Sequence, residues 1–359
     1  MGNDLKKIKY QGTTLVINPD AENIGYTNAL VEGVTNAKGA LDNLVGRVNA
    51  IEAGDSGIRN ARFVNFQLPT WKNNVKILCI GNSLTIFPLF ELANLLNGIG
   101  NITENDLLLR DIHSAGRTMA EWLQKLKNNS NDNQCWKWRI DGGAWKAGYD
   151  SVALSSLVEG TEWDIIMLQD FPTSTAGNYA AFRDTLYEMV TELRSRCPNK
   201  KVCIAWSLIY PQANPNTSRQ TYMGVWQNVA EATRQMVADS GIDIIVPMGT
   251  AYANAVNTAT FDGATHAWLE RDGTHPAMGV SAFIGSCVFY ESLIAPMIKK
   301  SFMDVATLYP MYEYYQAPTY TQAEFNVTQQ NLPLIQAVVL SALKDMYHVN
   351  YDIDPIQQS

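Results

Sequence analysis

Val75-Lys-Ile-Leu-Cys-Ile-Gly-Asn-Ser83-Leu84 is a nearly unbroken apolar run that stops on Gly-Asn-Ser. A run of this kind reads as a strand buried on both faces, then a loop, then a helix. Strands buried on both faces belong to parallel sheets, in which every crossover needs a helix, so the pattern should recur along the chain. It does, with apolar runs at Asp106–Ile112, Trp163–Leu168, Lys201–Trp206 and Ile242–Val246. Amphipathic segments fill the gaps at Phe87–Leu96, Met119–Lys127, Tyr179–Arg196, Tyr222–Ser240 and Ala277–Lys299. The expectation is an α/β fold in three layers (α/β/α), a five-stranded parallel sheet with helices on both sides.

Ligands of open parallel sheets collect beyond the carboxyl ends of the strands, and Ser83 falls there. Much later comes Arg271-Asp272-Gly-Thr-His275-Pro276, where Pro276 suits the first turn of a following helix. Gly273 lets the Asp272 carboxylate reach one ring nitrogen of His275 while the other faces a serine. Alone, Ser83 reads as readily as a helix N-cap, and a D-x-x-H arises by chance in a chain of this length. Together, Ser83, Asp272 and His275 are the candidate catalytic groups of an acyl-transfer triad, in the chain order of one class of serine hydrolase.

These residues carry a resemblance. Gly81-Asn82-Ser83-Leu84 and Asp272-Gly-Thr-His275-Pro276 resemble the first and last blocks of the SGNH/GDSL hydrolases, over roughly residues 71–300, with Asn82 where that family often has Asp. Gly116, in His113-Ser-Ala-Gly-Arg-Thr, is similar to the family's oxyanion glycine. Trp163-Asp-Ile-Ile-Met-Leu-Gln169-Asp resembles the third block, with Gln169 in place of the usual Asn, as in a branch common in gut bacteria. The resemblance implies a flavodoxin-like sheet and a serine esterase that needs no cofactor and no metal. Its oxyanion hole would be the N–H groups of Ser83 and Gly116 and the side-chain amide of Gln169. It also implies small acyl groups, notably acetyl, carried on a small molecule or a glycan. Asn82 beside the serine, and Trp206 and Tyr210 after the fourth strand, are expected to line the substrate site.

Composition narrows the partners. The chain has 359 residues, 46% hydrophobic and 17% charged, with net charge −8, so there is no broad positive field for nucleic acid. The opening residues show no signal peptide, and no stretch approaches the ~20 apolar residues of a membrane span. Either a cytoplasmic protein or part of an exported particle such as a virion appendage fits. Five cysteines without a C-x-x-C pair read as small buried hydrophobes. Four histidines without metal-ligand spacing exclude an obvious metal site.

Outside the main domain, residues 1–25 suggest a short strand at Thr13–Asn18 and a turn. Over 26–53 the apolar positions Leu30, Val34, Ala37, Leu41, Leu44, Val48 and Ile51 keep a strict heptad spacing. That stripe predicts a coiled-coil helix and a homo-oligomer through residues 27–52, with a trimer preferred. The competing reading is a helix lying on the protein's own body, favoured by Gly33, Gly39 and Gly46. A linker (54–70), the main domain (71–300) and a C-terminal extension (301–359) with a helix over Leu332–Tyr347 complete the division. Cys135–Trp145, with three Trp, reads equally as a glycan-facing cap or as a hairpin packed on the body. Ser56, in Gly54-Asp-Ser-Gly, imitates a nucleophile segment but follows a helix and has no histidine upstream. The front of the chain resembles the stalks of phage tails, so a non-enzymatic appendage or glycan-binding protein on a hydrolase scaffold is the alternative function.

Overall fold

A computed structural model describes residues 6–10, 13–17, 74–130, 133–171, 179–209, 219–261, 269, 274–304 and 327–355, in two compact units, Met1–Ala61 and Arg62–Ser359. In the first, β1 (Lys6–Tyr10) and β2 (Thr13–Ile17) form an antiparallel hairpin, with Lys6 opposite Ile17 and Tyr10 opposite Thr13. Only β2 shows in the sequence, because Lys6-Lys-Ile-Lys-Tyr10 presents as charged rather than as an apolar alternation. The expected coiled-coil helix over 26–53 and the linker over 54–70 lie outside the described residues.

The second unit is built on one sheet. Its strands are β3 (Val75–Gly81), β4 (Leu107–His113), β5 (Gln134–Asp141), β6 (Ala144–Ser151), β7 (Ile165–Leu168), β8 (Cys203–Ser207) and β9 (Ile244–Val246), in the order β6-β5-β4-β3-β7-β8-β9. The five expected strands are present and parallel, with β3 at the switch point between β4 and β7. The sheet nevertheless has seven strands, because the Trp-rich segment adds an antiparallel hairpin to the free edge of β4. Gly142 and Gly143 form its two-residue turn with φ of +63° and +82°, the left-handed pair that suits strand twist. Trp136, Trp138 and Trp145 are all buried, so they are core residues and not a cap over the site.

Alternation along the strands sorts side chains between two faces. Register places Ile112, Ile80, Leu168, Trp206 and Ile245 on one face, and Asp111, Cys79, Met167 and Trp136 on the other. On the first pack α3 (Met119–Asn128), α4 (Leu154–Gly160), α5 (Tyr179–Arg196) and α6 (Arg219–Ser240); Phe182 of α5 meets Trp206 edge-on at 5.8 Å. Against the other lie α1 (Ser83–Ile86), α2 (Leu92–Ile99), α7 (Met248–Val256) and α8 (Val280–Phe289), with Phe90 on Trp136 at 5.3 Å. The mixed α/β architecture with a helical layer on each side of the sheet therefore stands.

Helix α8 runs on through a wide turn at Tyr290–Ile294 into α9 (Ala295–Ile298), where Pro296 cannot donate to the preceding turn. Val280–Ile298 is long and apolar enough to cross a membrane, contrary to the sequence expectation, yet 89% of it is buried. It is a core helix. The expected extension also joins this core: α10 (Leu332–Lys344) packs on α7 and α8, and Ile335, Val338 and Val339 are fully buried. Asn254 fixes that packing, its Oδ1 accepting the Asn350 N–H at 2.8 Å. All five cysteines are free and buried.

Candidate active site

Strand β3 ends at Gly81, where no side chain fits. A Cβ there would stand 1.9 Å from Thr85 Oγ1 and 3.0 Å from Gln169 Oε1. Trp122 Nε1 donates to the Gly81 carbonyl at 3.0 Å and fixes the turn from the other face. Asn82 is extended (φ −117°, ψ −160°) and caps α1, its Oδ1 accepting the Leu84 N–H at 3.0 Å. Ser83 therefore opens the helix, where a first-turn N–H has no acceptor within the helix. It keeps 8% of its surface exposed in an otherwise closed segment.

Nε2 of His275 lies 2.7 Å from Oγ of Ser83, although 192 positions separate them in the chain. The Phe87 ring meets the imidazole at 4.8 Å and 64°, limiting its rotation. One turn further on, Glu91 is buried and its Oε1 accepts the Gly279 N–H at 3.4 Å, while Oε2 accepts from Asn94. Burial drives the Glu91 carboxyl up to about 7, only partly opposed by the hydrogen bonds from Asn94 and Gly279. Segment 83–91 thus grips segment 275–279 by a hydrogen bond, a ring contact and a buried acid. Sequence reading missed Phe87 and Glu91, since both look like ordinary members of an amphipathic helix. Asp272 lies outside the described residues.

Gly116 sits in an exposed turn closed by the Arg117 N–H donating to the Ser114 carbonyl at 3.2 Å. Its φ of +69° lies in the left-handed region that favours glycine, and the backbone alone sets that preference, because a Cβ there would meet nothing within 4 Å. The turn begins beside the Ser83 loop: His113 pairs with Gly81, and the Ser114 N–H donates to the Gly81 carbonyl at 3.4 Å. Burial holds the His113 imidazole down to about 4, and its Nδ1 has no partner among the described residues.

Three expected substrate or oxyanion residues are engaged elsewhere. Gln169 is fully buried beneath the turn; its Oε1 accepts from Thr85 Oγ1 at 2.8 Å and the Asn82 N–H at 3.4 Å, and its Nε2 donates to the Asp170 carbonyl. Asn82, also fully buried, spends its amide on the Leu84 cap and on the Arg117 carbonyl, to which Nδ2 donates at 3.2 Å. Trp206 is 2% exposed against Phe182, since it occupies a mid-sheet position on the face covered by α5. The expectation that Asn82 and Trp206 line the substrate site is corrected accordingly. Tyr210 lies outside the described residues.

A hydroxyl within hydrogen-bond reach of an imidazole, at the carboxyl edge of a parallel sheet and beside a glycine turn, is an arrangement suited to nucleophilic attack. No curated protein matches the chain. A crystal structure of a DUF4886 family protein from Bacteroides uniformis is 20% identical, with TM-score 0.59, over 78% of this chain and 98% of that one. An acetyl xylan esterase from Geobacillus stearothermophilus is 12% identical, with TM-score 0.40, over 66% and 98%. A GDSL-like lipase from Bacteroides thetaiotaomicron is 14% identical, with TM-score 0.34, over 70% and 98%. The model of the domain of unknown function DUF4886 matches residues 76–307, which is most of the chain and contains both halves of the site, so this protein belongs to the DUF4886 family.

Proposed function

We propose that the protein is a serine esterase that hydrolyses small acyl esters, acetyl foremost, carried on a carbohydrate. The observation that carries this reading is the 2.7 Å contact between His275 Nε2 and Ser83 Oγ. In the proposed reaction His275 takes the hydroxyl proton as Ser83 Oγ bonds to the acyl carbon, and the carbonyl oxygen becomes an oxyanion. The imidazolium then returns the proton to the leaving alcohol as the ester C–O bond breaks. Water, activated by the same imidazole, releases the acid and restores Ser83. Asp272 is assigned to the second ring nitrogen, where it would hold the tautomer and stabilise the charge. Backbone N–H groups of Ser83 and Gly116 are assigned to the oxyanion.

Carbohydrate as the carrier is inferred from the resemblance of the sequence blocks to the SGNH hydrolases, and the acetyl group with it. The non-enzymatic alternative keeps the same body without turnover. A chromogenic acetyl ester separates them: wild type should turn it over, and Ser83→Ala should lose on the order of 10⁴-fold or more of kcat while still folding. Full activity in Ser83→Ala would sink the reading.

A further inference from the structure

Three loops at the carboxyl edge of the sheet are tied into a closed ring of hydrogen bonds. They are Gly81–Thr85 after β3, Ser114–Met119 after β4 and Gln169–Phe171 after β7. Asn82 Nδ2 donates to the Arg117 carbonyl at 3.2 Å. Two residues on, the Met119 N–H donates to Asp170 Oδ2 at 2.9 Å. Oδ1 of the same carboxylate accepts the Phe171 N–H at 2.7 Å, which fixes its rotamer. The Asp170 carbonyl accepts from Gln169 Nε2, and Gln169 Oε1 closes the ring by accepting from Thr85 Oγ1 at 2.8 Å and the Asn82 N–H at 3.4 Å.

Asn82 and Gln169 are fully buried, Thr85 is 1% exposed and Asp170 3%. A buried polar network whose members are satisfied is stiff, because any rearrangement strands a donor or acceptor away from water. The ring passes through Asn82, the residue before Ser83, and through Arg117, the residue after Gly116. Holding these two fixes the separation of the two N–H groups assigned to the oxyanion. An oxyanion hole gains its strength from donors that need no reorganisation when charge develops.

We infer that Gln169 and Asp170 are positioning residues that set the oxyanion hole in place before substrate arrives, and that Gln169 acts through Asn82 and Thr85 and makes no bond to the oxyanion. This rests on the esterase reading. Gln169→Leu, Asp170→Asn, their double variant and Thr85→Val are made in the full chain. Each is assayed for kcat and KM on p-nitrophenyl acetate, and for amide hydrogen exchange of peptides covering 81–86 and 114–119. Displacing catalytic groups by about 1 Å costs about 100-fold, so kcat should fall about 10- to 100-fold in each single variant of the pair, with KM little changed. The double variant should be no worse than the poorer single, since one ring is broken either way. Both peptides should exchange faster, and Thr85→Val should show the same pattern more weakly.

Two results in an active protein overturn the inference alone. One is a loss of kcat in Gln169→Leu with exchange unchanged and Asp170→Asn at the wild-type rate, which would make Gln169 a direct donor. The other is faster exchange at full kcat. Should Gln169→Leu fail to fold, Thr85→Val carries the same two readouts with a near-isosteric change. A wild-type chain that neither turns over the ester nor reacts at Ser83 with a fluorophosphonate overturns the esterase reading, and the ring's catalytic role with it.

Discussion

Burial of Glu91 and His113 gives each a proton affinity that couples the site to pH. Glu91 is raised from 4.5 to about 7, so between those values the folded chain holds a proton that the unfolded chain has released. Stability from this group is therefore present at low pH and lost as pH rises through that window, by roughly 3 kcal/mol in all. Glu91→Gln keeps an acceptor for the Gly279 N–H and has nothing to ionise. Thermal melts should show a smaller drop in Tm from about pH 5 to about pH 8 in Glu91→Gln than in wild type; equal drops would contradict the buried-acid account. His113 has the opposite sign. Its imidazole is lowered from 6.5 to about 4, so the unfolded chain takes up the proton first and stability is lost as pH falls through that window. His113→Asn should hold its Tm better than wild type between about pH 6.5 and pH 4, and a variant as acid-sensitive as the parent would refute the assignment.

Helix α8 and the segment carrying Ser83 fit together through small residues. A Cβ on Gly285 would lie 2.6 Å from Pro88 Cβ and 2.6 Å from Tyr252 OH, and Ser286 Oγ donates to the Pro88 carbonyl. Adding one methyl there forces the Phe87–Leu89 turn and α7 apart, and overpacking of this kind costs about 1–3 kcal/mol. Gly285→Ala should lower Tm accordingly and lower kcat as well, because Phe87 supports His275 from the same turn; a Tm at the wild-type value would mean the contact relaxes freely. The parallel strands were readable because strands covered on both faces must be apolar throughout. Trp136, Trp138 and Trp145 were ambiguous because an aromatic cap and a buried hairpin favour the same composition. Only the pairing of β5 with the edge of β4 shows which applies.

The two compact units divide the chain near Ala61. We propose that the first carries the oligomer contacts expected of residues 27–52, and that the second is sufficient for chemistry. Deleting residues 1–61 should then leave Tm and per-chain turnover of the acetyl ester near wild type while light scattering reports a monomer in place of a trimer. A wild-type chain that is already monomeric would end the oligomer proposal without touching the site. What the amino-acid order determined by itself was whatever depends on neighbours in the chain: five buried strands, the serine at the end of the first, the histidine before a helix. Ser83 could be named because a strand-end loop has a local signature, and His275 because Asp272-Gly-Thr-His275-Pro276 is a local motif ahead of a helix. The commitments of Gln169, Asn82 and Trp206 had no such signature, since an amide or an indole at those positions reads the same whether it faces substrate or core. Folding decided between them, by bringing residues 87 positions apart together beneath the turn and burying their polar atoms against each other.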